Sequence, residues 1–157
     1  MKSFVLAAVV LAAVATLKVT AAESAWSTDF PSAQAQAKKE SKLVLMNFTG
    51  SDWCSWCKKL HKEVFSTKEF GAFAKEKLVL VEVDFPNGKK QTDALKKANE
   101  ALQEKYKAEG FPTIVVLNGE GKVVWRQVGY MPGGPEAWIA KLKSLKSTRA
   151  ILSRLPL

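Results

Sequence analysis

Two cysteines three positions apart, set where an apolar run gives way to a helical pattern, constrain this chain more than any other feature. They are the only cysteines in 157 residues and lie in Trp53-Cys54-Ser55-Trp56-Cys57-Lys58. Leu43 to Phe48 reads as a buried strand and Thr49 to Asp52 as a turn cluster; from Cys54 the apolar positions Cys57, Leu60 and Val64 recur at helical spacing. The pair therefore stands at the head of a helix fed by a strand. There, unpaired backbone N–H groups and the helix dipole favour an anion, so a Cys54 thiolate is stabilised and nucleophilic near neutral pH. Lys58 and Lys59 add positive charge, and Asp52 opposes it. Cys57, on the same helical face, is placed to attack a mixed disulfide formed by Cys54, which releases reduced substrate and closes an intramolecular disulfide. Cys54 is the expected attacker and Cys57 the expected resolver.

Other uses of a Cys-x-x-Cys pair fit less well. Haem attachment requires a histidine where Lys58 stands. Zinc needs four ligands, and His61, the only histidine, raises the count to three. A purely structural disulfide across so short a loop removes little chain entropy. No metal or other cofactor is expected. His61 follows Cys57 by four positions and shares its helical face, where an imidazole titrating near neutral pH would be suited to relaying a proton.

Along the chain, Asp29 to Lys42 is a first helix that admits Pro31 in its opening turn. Ser66 or Thr67 caps a short helix through Ala74, and Leu78 to Val83 reads as a continuous β-branched run typical of a fully buried strand, ended by Pro86, Asn87 and Gly88. Gln91 to Lys107 places Leu95, Ala98, Leu102 and Tyr106 on one face, with Gly110 closing the helix. Ile114 to Leu117 and Val123 to Val128 flank Asn118-Gly119-Glu120-Gly121, a hairpin signal that makes this pair antiparallel. Pro135 opens a last helix with Trp138, Ile139, Leu142 and Leu145 on one face. The expected order is helix, strand, helix, short helix, strand, helix, strand, strand, helix. The fold class is α/β: a central mixed β-sheet with helices on both faces.

At the N-terminus, Lys2, the apolar run Phe4 to Leu17 and the small residues around Ala22 form a secretory-type leader, and the run falls short of the roughly 20 residues a membrane-spanning helix needs. Residues 1–22 are the expected signal peptide and residues 23–157 a single domain, periplasmic or secreted; retention of the leader as a membrane anchor is the alternative. The chain carries +9, and losing Lys2 and Lys18 with the leader leaves +7, spread over the sequence without a dense block. A solvated basic surface is expected, with no nucleic-acid partner, on a monomer.

Phe48-Thr49-Gly50-Ser51-Asp52-Trp53-Cys54-Ser55-Trp56-Cys57-Lys58-Lys59, followed later by Gly110-Phe111-Pro112-Thr113, resembles the thioredoxin superfamily over Phe30 to Leu145. Lys62 to Phe70 is similar to secreted thioredoxin-like proteins akin to the periplasmic C-terminal domain of transmembrane thiol:disulfide reductases. The resemblance implies a thioredoxin-like fold, an exported thiol:disulfide oxidoreductase that reduces or isomerises protein disulfides, and a membrane-borne thiol donor that re-reduces it. It implies that Pro112 is a cis-proline facing the cysteines, beside which Phe111 and the preceding backbone bind an extended substrate strand. Trp56 replaces the proline of the family's usual Gly-Pro dipeptide, and an indole there is expected to contact apolar substrate surface, while Trp26, Trp53, Trp125 and Trp138 are read as packing residues. Asn47 stands near where many thioredoxins hold a buried aspartate that accepts the Cys57 proton, and an amide cannot do that. A disulfide-forming oxidase, and a client-binding module without redox turnover, are the alternative functions.

Overall fold

The computed structural model describes residues 26–152; the expected leader, residues 1–22, lies outside the described residues. The elements are β1 (Trp26–Ser27), α1 (Phe30–Lys39), β2 (Leu43–Thr49), α2 (Ser55–Leu60), a π-helical turn (His61–Phe65), α3 (Lys68–Lys77), β3 (Leu78–Asp84), α4 (Asp93–Tyr106), β4 (Thr113–Leu117), β5 (Val123–Val128) and α5 (Gly134–Leu152). The five strands form one sheet in the order β1-β3-β2-β4-β5. β2 runs parallel to β3 and antiparallel to β4, and β4 and β5 are antiparallel, so the sheet is mixed as expected.

Strand side chains alternate between faces, and here both faces are covered. Leu43, Leu45, Leu78, Leu80, Ile114 and Val116 point to the side covered by α2, the π turn, α3 and α5, where Trp138 and Leu142 are fully buried. Val44, Met46, Phe48, Val79, Val81, Val83, Val115 and Leu117 pack on the other side against α1 and the end of α4. This two-sided burial is why β2 and β3 read as apolar runs. Trp138 lies edge-on to Trp125 at 5.4 Å and to Phe65 at 5.5 Å, and Trp26 packs on Phe65 at 5.2 Å. Three of the tryptophans read as packing residues therefore do pack.

The helix starts follow capping chemistry. The Asp29, Thr67 and Thr92 side chains accept from Ser32, Phe70 and Leu95 N–H at the heads of α1, α3 and α4. Three expectations about boundaries are corrected. β1 escaped the sequence reading because two residues carry no periodicity. The helix after Cys57 is not α throughout: Ser66 N–H donates to His61 O across five residues, giving a π turn with unchanged apolar spacing at Leu60 and Val64. α4 is closed not by Gly110 but by Lys107, in the left-handed region at φ 50°.

Candidate active site

On the α2 side of the sheet, the alternating positions change character toward the C-terminal ends of β2 and β3. Leu43 and Leu45 are followed by Asn47 and Thr49, and Leu78 and Leu80 by Glu82 and Asp84. The layer stays apolar beneath α3 and α5 and becomes polar where α2 begins. Open parallel strands commonly present their functional groups at that end.

The turn between β2 and α2 is built for close approach. A Cβ on Gly50 would lie 2.3 Å from the Trp53 ring, so only glycine fits there. Cys54 N–H donates to Gly50 O at 2.9 Å, and Trp53 Nε1 donates to Phe85 O at 2.7 Å. Trp53 is not the internal packing residue expected: it is 45% exposed and lies over the turn as a cover. Two carboxylates tie the turn to β3 and the segment beyond it. Asp84 accepts from Ser51 N–H at 2.8 Å and from Ser51 Oγ at 2.6 Å. Asp52 accepts from the N–H groups of Asn87, Gly88 and Lys89, which holds its carboxyl below the usual aspartate value.

Cys54 is the N-cap of α2, and its Sγ accepts from Cys57 N–H at 3.2 Å. Cys54 and Cys57 are joined in a disulfide, with Cα atoms 5.2 Å apart and both residues buried. A thiolate at Cys54 would receive the same N–H. Trp56, between them, is 55% exposed and lies 5.6 Å from the Tyr130 ring, with Lys59 Nζ above both rings. Tyr130 Oη donates to Glu63, which pushes the Tyr130 phenol above its usual value.

The Phe111–Pro112 peptide is cis. Trp56, Phe111, Pro112, Gly129 and Tyr130 line a groove of about 250 Å³. Phe111 also stacks on Phe85 at 5.3 Å and meets Trp53 edge-on at 5.8 Å, so its ring is held by packing on the groove wall. The structure thus brings Trp56, Phe111 and Pro112 to one groove; Tyr130 belongs with them and had no sequence signal of its own.

On the other side of the cysteines is a second cavity of about 320 Å³, lined by Cys57, Asn47, Thr49, His61, Glu82 and Lys89, with Ser51 and Lys58 at its wall. His61 does reach the surroundings of Cys57, from an exposed position. Asn47 is buried, and its Oδ1 has no hydrogen-bond partner among the described residues. Glu82, missed in the sequence reading, is half-buried; burial first, and the Asp84 charge second, push its carboxyl above the usual glutamate value, while His61 and Lys89 pull it back in part. The signal was available: Glu82 is a charge inside the β-branched run Leu78 to Val83.

A thioredoxin-like domain is matched over residues 30–146. The disulfide bond reductase DsbH of Chlamydia pneumoniae is 37% identical over 134 residues, which cover 85% of this chain and 80% of that protein. The thioredoxin-related protein DsbJ of the same organism is 32% identical over 101 residues, which cover 64% of this chain and 29% of that protein. A solved DsbH oxidoreductase superposes with TM-score 0.72 at 38% identity, covering 76% of this chain and 82% of its own. The DsbD C-terminal domain of Neisseria meningitidis, in its oxidised form, shares the fold at TM-score 0.54 and 19% identity, over 73% of this chain and 90% of its own. A buried Cys-x-x-Cys disulfide at the head of a helix, in this fold and among these relatives, makes the chain a member of the thioredoxin-like family and a thiol:disulfide oxidoreductase.

Proposed function

We propose that the chain is an exported reductase or isomerase of protein disulfides, in which Cys54 attacks and Cys57 resolves. The observation that carries this reading is the position of Cys54: its sulfur caps α2 and accepts the Cys57 N–H, so the first sulfur of the pair is the one whose anion is stabilised. In the reductive direction Cys54 thiolate attacks a substrate disulfide and one substrate sulfur leaves. Cys57 thiolate then attacks Cys54 Sγ, the second substrate sulfur leaves, and the protein holds the Cys54–Cys57 disulfide. Two electrons pass to the substrate. A thiol donor outside this chain returns them, and a membrane-borne donor fits a site of action beyond the membrane.

Similarity to a protein named a disulfide bond reductase supports the reducing direction. The leader-like pattern from Lys2 to Ala22 supports export and a periplasmic or secreted location, and among the described residues no helix is long and apolar enough to cross a membrane. The exposed Trp56 and the groove it shares with Phe111 and Pro112 support these three as substrate contacts, with an extended segment lying against Pro112.

The test is the reduction potential of the Cys54–Cys57 pair, measured by equilibration with dithiothreitol or glutathione buffers and thiol trapping. A value near about −270 mV supports the reductase; one near about −120 mV turns the assignment to an oxidase. Cys57→Ser should accumulate a mixed disulfide through Cys54, and Cys54→Ser should form none. Retained cellular activity in a double Cys→Ser variant would instead favour client binding. Trp56→Ala should slow reduction of a protein disulfide while sparing a small aromatic disulfide; equal rates on the protein substrate would remove Trp56 from the contact surface.

A further inference from the structure

Resolution of the mixed disulfide needs Cys57 as a thiolate, and Cys57 is buried, 5% exposed, away from bulk solvent as a ready proton acceptor. Its proton must leave through the 320 Å³ cavity that it lines. That volume is roomy enough for several waters at about 30 Å³ each, and the lining is polar enough to hold them.

The polar groups on and around that wall differ in their capacity to accept a proton. Asn47 is an amide and carries no base. The Asp84 carboxylate, at the end of β3, is engaged by Ser51 N–H and Oγ. Asp52 is not among the residues lining the cavity and is engaged by three backbone N–H groups. Lys58 on α2 and Lys89 beyond β3 bring positive charge, and Lys89 Nζ donates to Ser51 Oγ. What remains is Glu82, the one carboxylate lining the cavity among the described residues, and His61 from the π turn. Glu82 is the register partner of Asn47 on the neighbouring parallel strand, so both present side chains to the same face at the same level. Asn47 Oδ1, without a hydrogen-bond partner among the described residues, is a buried acceptor that a water in the cavity would satisfy.

We propose that Glu82 accepts the Cys57 proton, through water held in this cavity, as the mixed disulfide is resolved. The step rests on the reading of Cys57 as resolver. Cys57 Sγ–H gives its proton to the Glu82 carboxylate by way of the water; the thiolate attacks Cys54 Sγ; the bond between Cys54 and the substrate sulfur breaks; and that sulfur leaves with the electron pair. The proton on Glu82 returns through the same water to the leaving thiolate or to solvent. Glu82 acts through water and not by contact with the sulfur, so it is a positioning residue. A carboxyl held above its usual value by burial is better matched to a thiol than an exposed one. His61 and Lys89 favour its charged form, the form that can accept a proton.

The experiment mixes the reduced protein rapidly with excess 5,5′-dithiobis(2-nitrobenzoate) and follows release of the coloured thiolate. Attack by Cys54 releases one equivalent and resolution by Cys57 a second; Cys57→Ser identifies the second phase by losing it. In Glu82→Gln the second phase at pH 7 should slow by at least about tenfold, below the roughly hundredfold or more of positioned proton transfer because bulk water still reaches the thiol slowly. Its rate should then climb with pH, following thiol ionisation, and meet wild type in alkali. The wild-type rate should instead hold down to lower pH and fall only as Glu82 protonates, with Glu82→Asp intermediate between the two. Superimposable second-phase pH profiles in wild type and Glu82→Gln, with both variants folded by circular dichroism, would overturn the proposal alone. A wild type that releases only one equivalent would overturn the resolver reading, and this proposal with it.

Discussion

Replacing Asp84 by alanine is the most demanding test of how this site is held. Its two carboxylate oxygens accept from Ser51 N–H at 2.8 Å and Ser51 Oγ at 2.6 Å, across 33 residues of sequence, and so fasten the turn before Cys54 to the end of β3. Hydrogen bonds to a charged group contribute about 1.5–3 kcal/mol each, giving a gross loss of about 3–6 kcal/mol. Two effects reduce it. Water in the adjacent cavity can reach the orphaned Ser51 groups, and removing Asp84 relieves its repulsion with Glu82. The net expectation is a loss of about 2–4 kcal/mol, a fall in Tm of about 8–14 °C for a domain of this size. Asp84→Asn keeps an acceptor for Ser51 N–H and should lose about 1 kcal/mol. Urea denaturation followed by circular dichroism, with equal m-values for the variants, reads both losses. An Asp84→Ala variant within about 0.5 kcal/mol of wild type would refute the idea that these contacts hold the turn.

Thr67→Ala removes the α3 cap, where Oγ1 accepts from Phe70 N–H, and should lower stability by about 1 kcal/mol in the same assay, with thiol reactivity unchanged. The Asp52 carboxyl is held low by three N–H donors, so its contribution to stability is present above the ordinary aspartate value and disappears as pH falls through the lower folded-state value. Asp52→Asn should therefore be less stable than wild type at neutral pH and converge with it in strong acid; a constant gap across an acid titration would contradict this. Glu82 runs the other way. Its folded-state value is raised, so its contribution is fully present below the unfolded-state value and lost as pH rises through the folded-state value. Glu82→Gln should accordingly be more stable than wild type at neutral pH and lose that advantage below about pH 4, near the ordinary glutamate value. Urea midpoints at several pH values check the sign.

The apolar runs of β2 and β3, the hairpin and the amphipathic faces of α4 and α5 were legible because each is a repeating pattern over many residues. The cysteine pair was legible because helix start, spacing and turn residues coincide at Cys54. What the pattern missed was local or lateral. The π turn keeps the apolar period at Leu60 and Val64 while shifting backbone partners, so hydropathy cannot distinguish it from α-helix. Lys107 adopts the left-handed region at φ 50° although Gly110 is the more obvious residue for it. Nothing in the sequence separates Trp53 from the tryptophans that pack; the glycine beneath it and the Phe85 carbonyl beside it make it a cover instead.

The acid behind the cysteines shows why lateral placement is the harder problem. Read along β2 alone, Asn47 marks a missing base, and His61, on the helical face of Cys57, is the substitute the sequence offers. Read across the sheet, Asn47 pairs with Glu82 on a parallel strand about 4.8 Å away, facing the same cavity. Strand register is not written in either segment, since it follows from which apolar residues of β2 and β3 share a face. A charge within β3 looks like a fault in a core strand when that strand is read by itself. It is no fault once the parity of Leu78, Leu80 and Glu82 is set beside that of Leu43, Leu45 and Asn47: both strands leave the core at the same level, on the side where α2 delivers Cys57. A group held there against its own hydration lowers stability at neutral pH, and a core strand has no packing use for it. The polar cavity and the buried thiol that share its wall supply a chemical use instead.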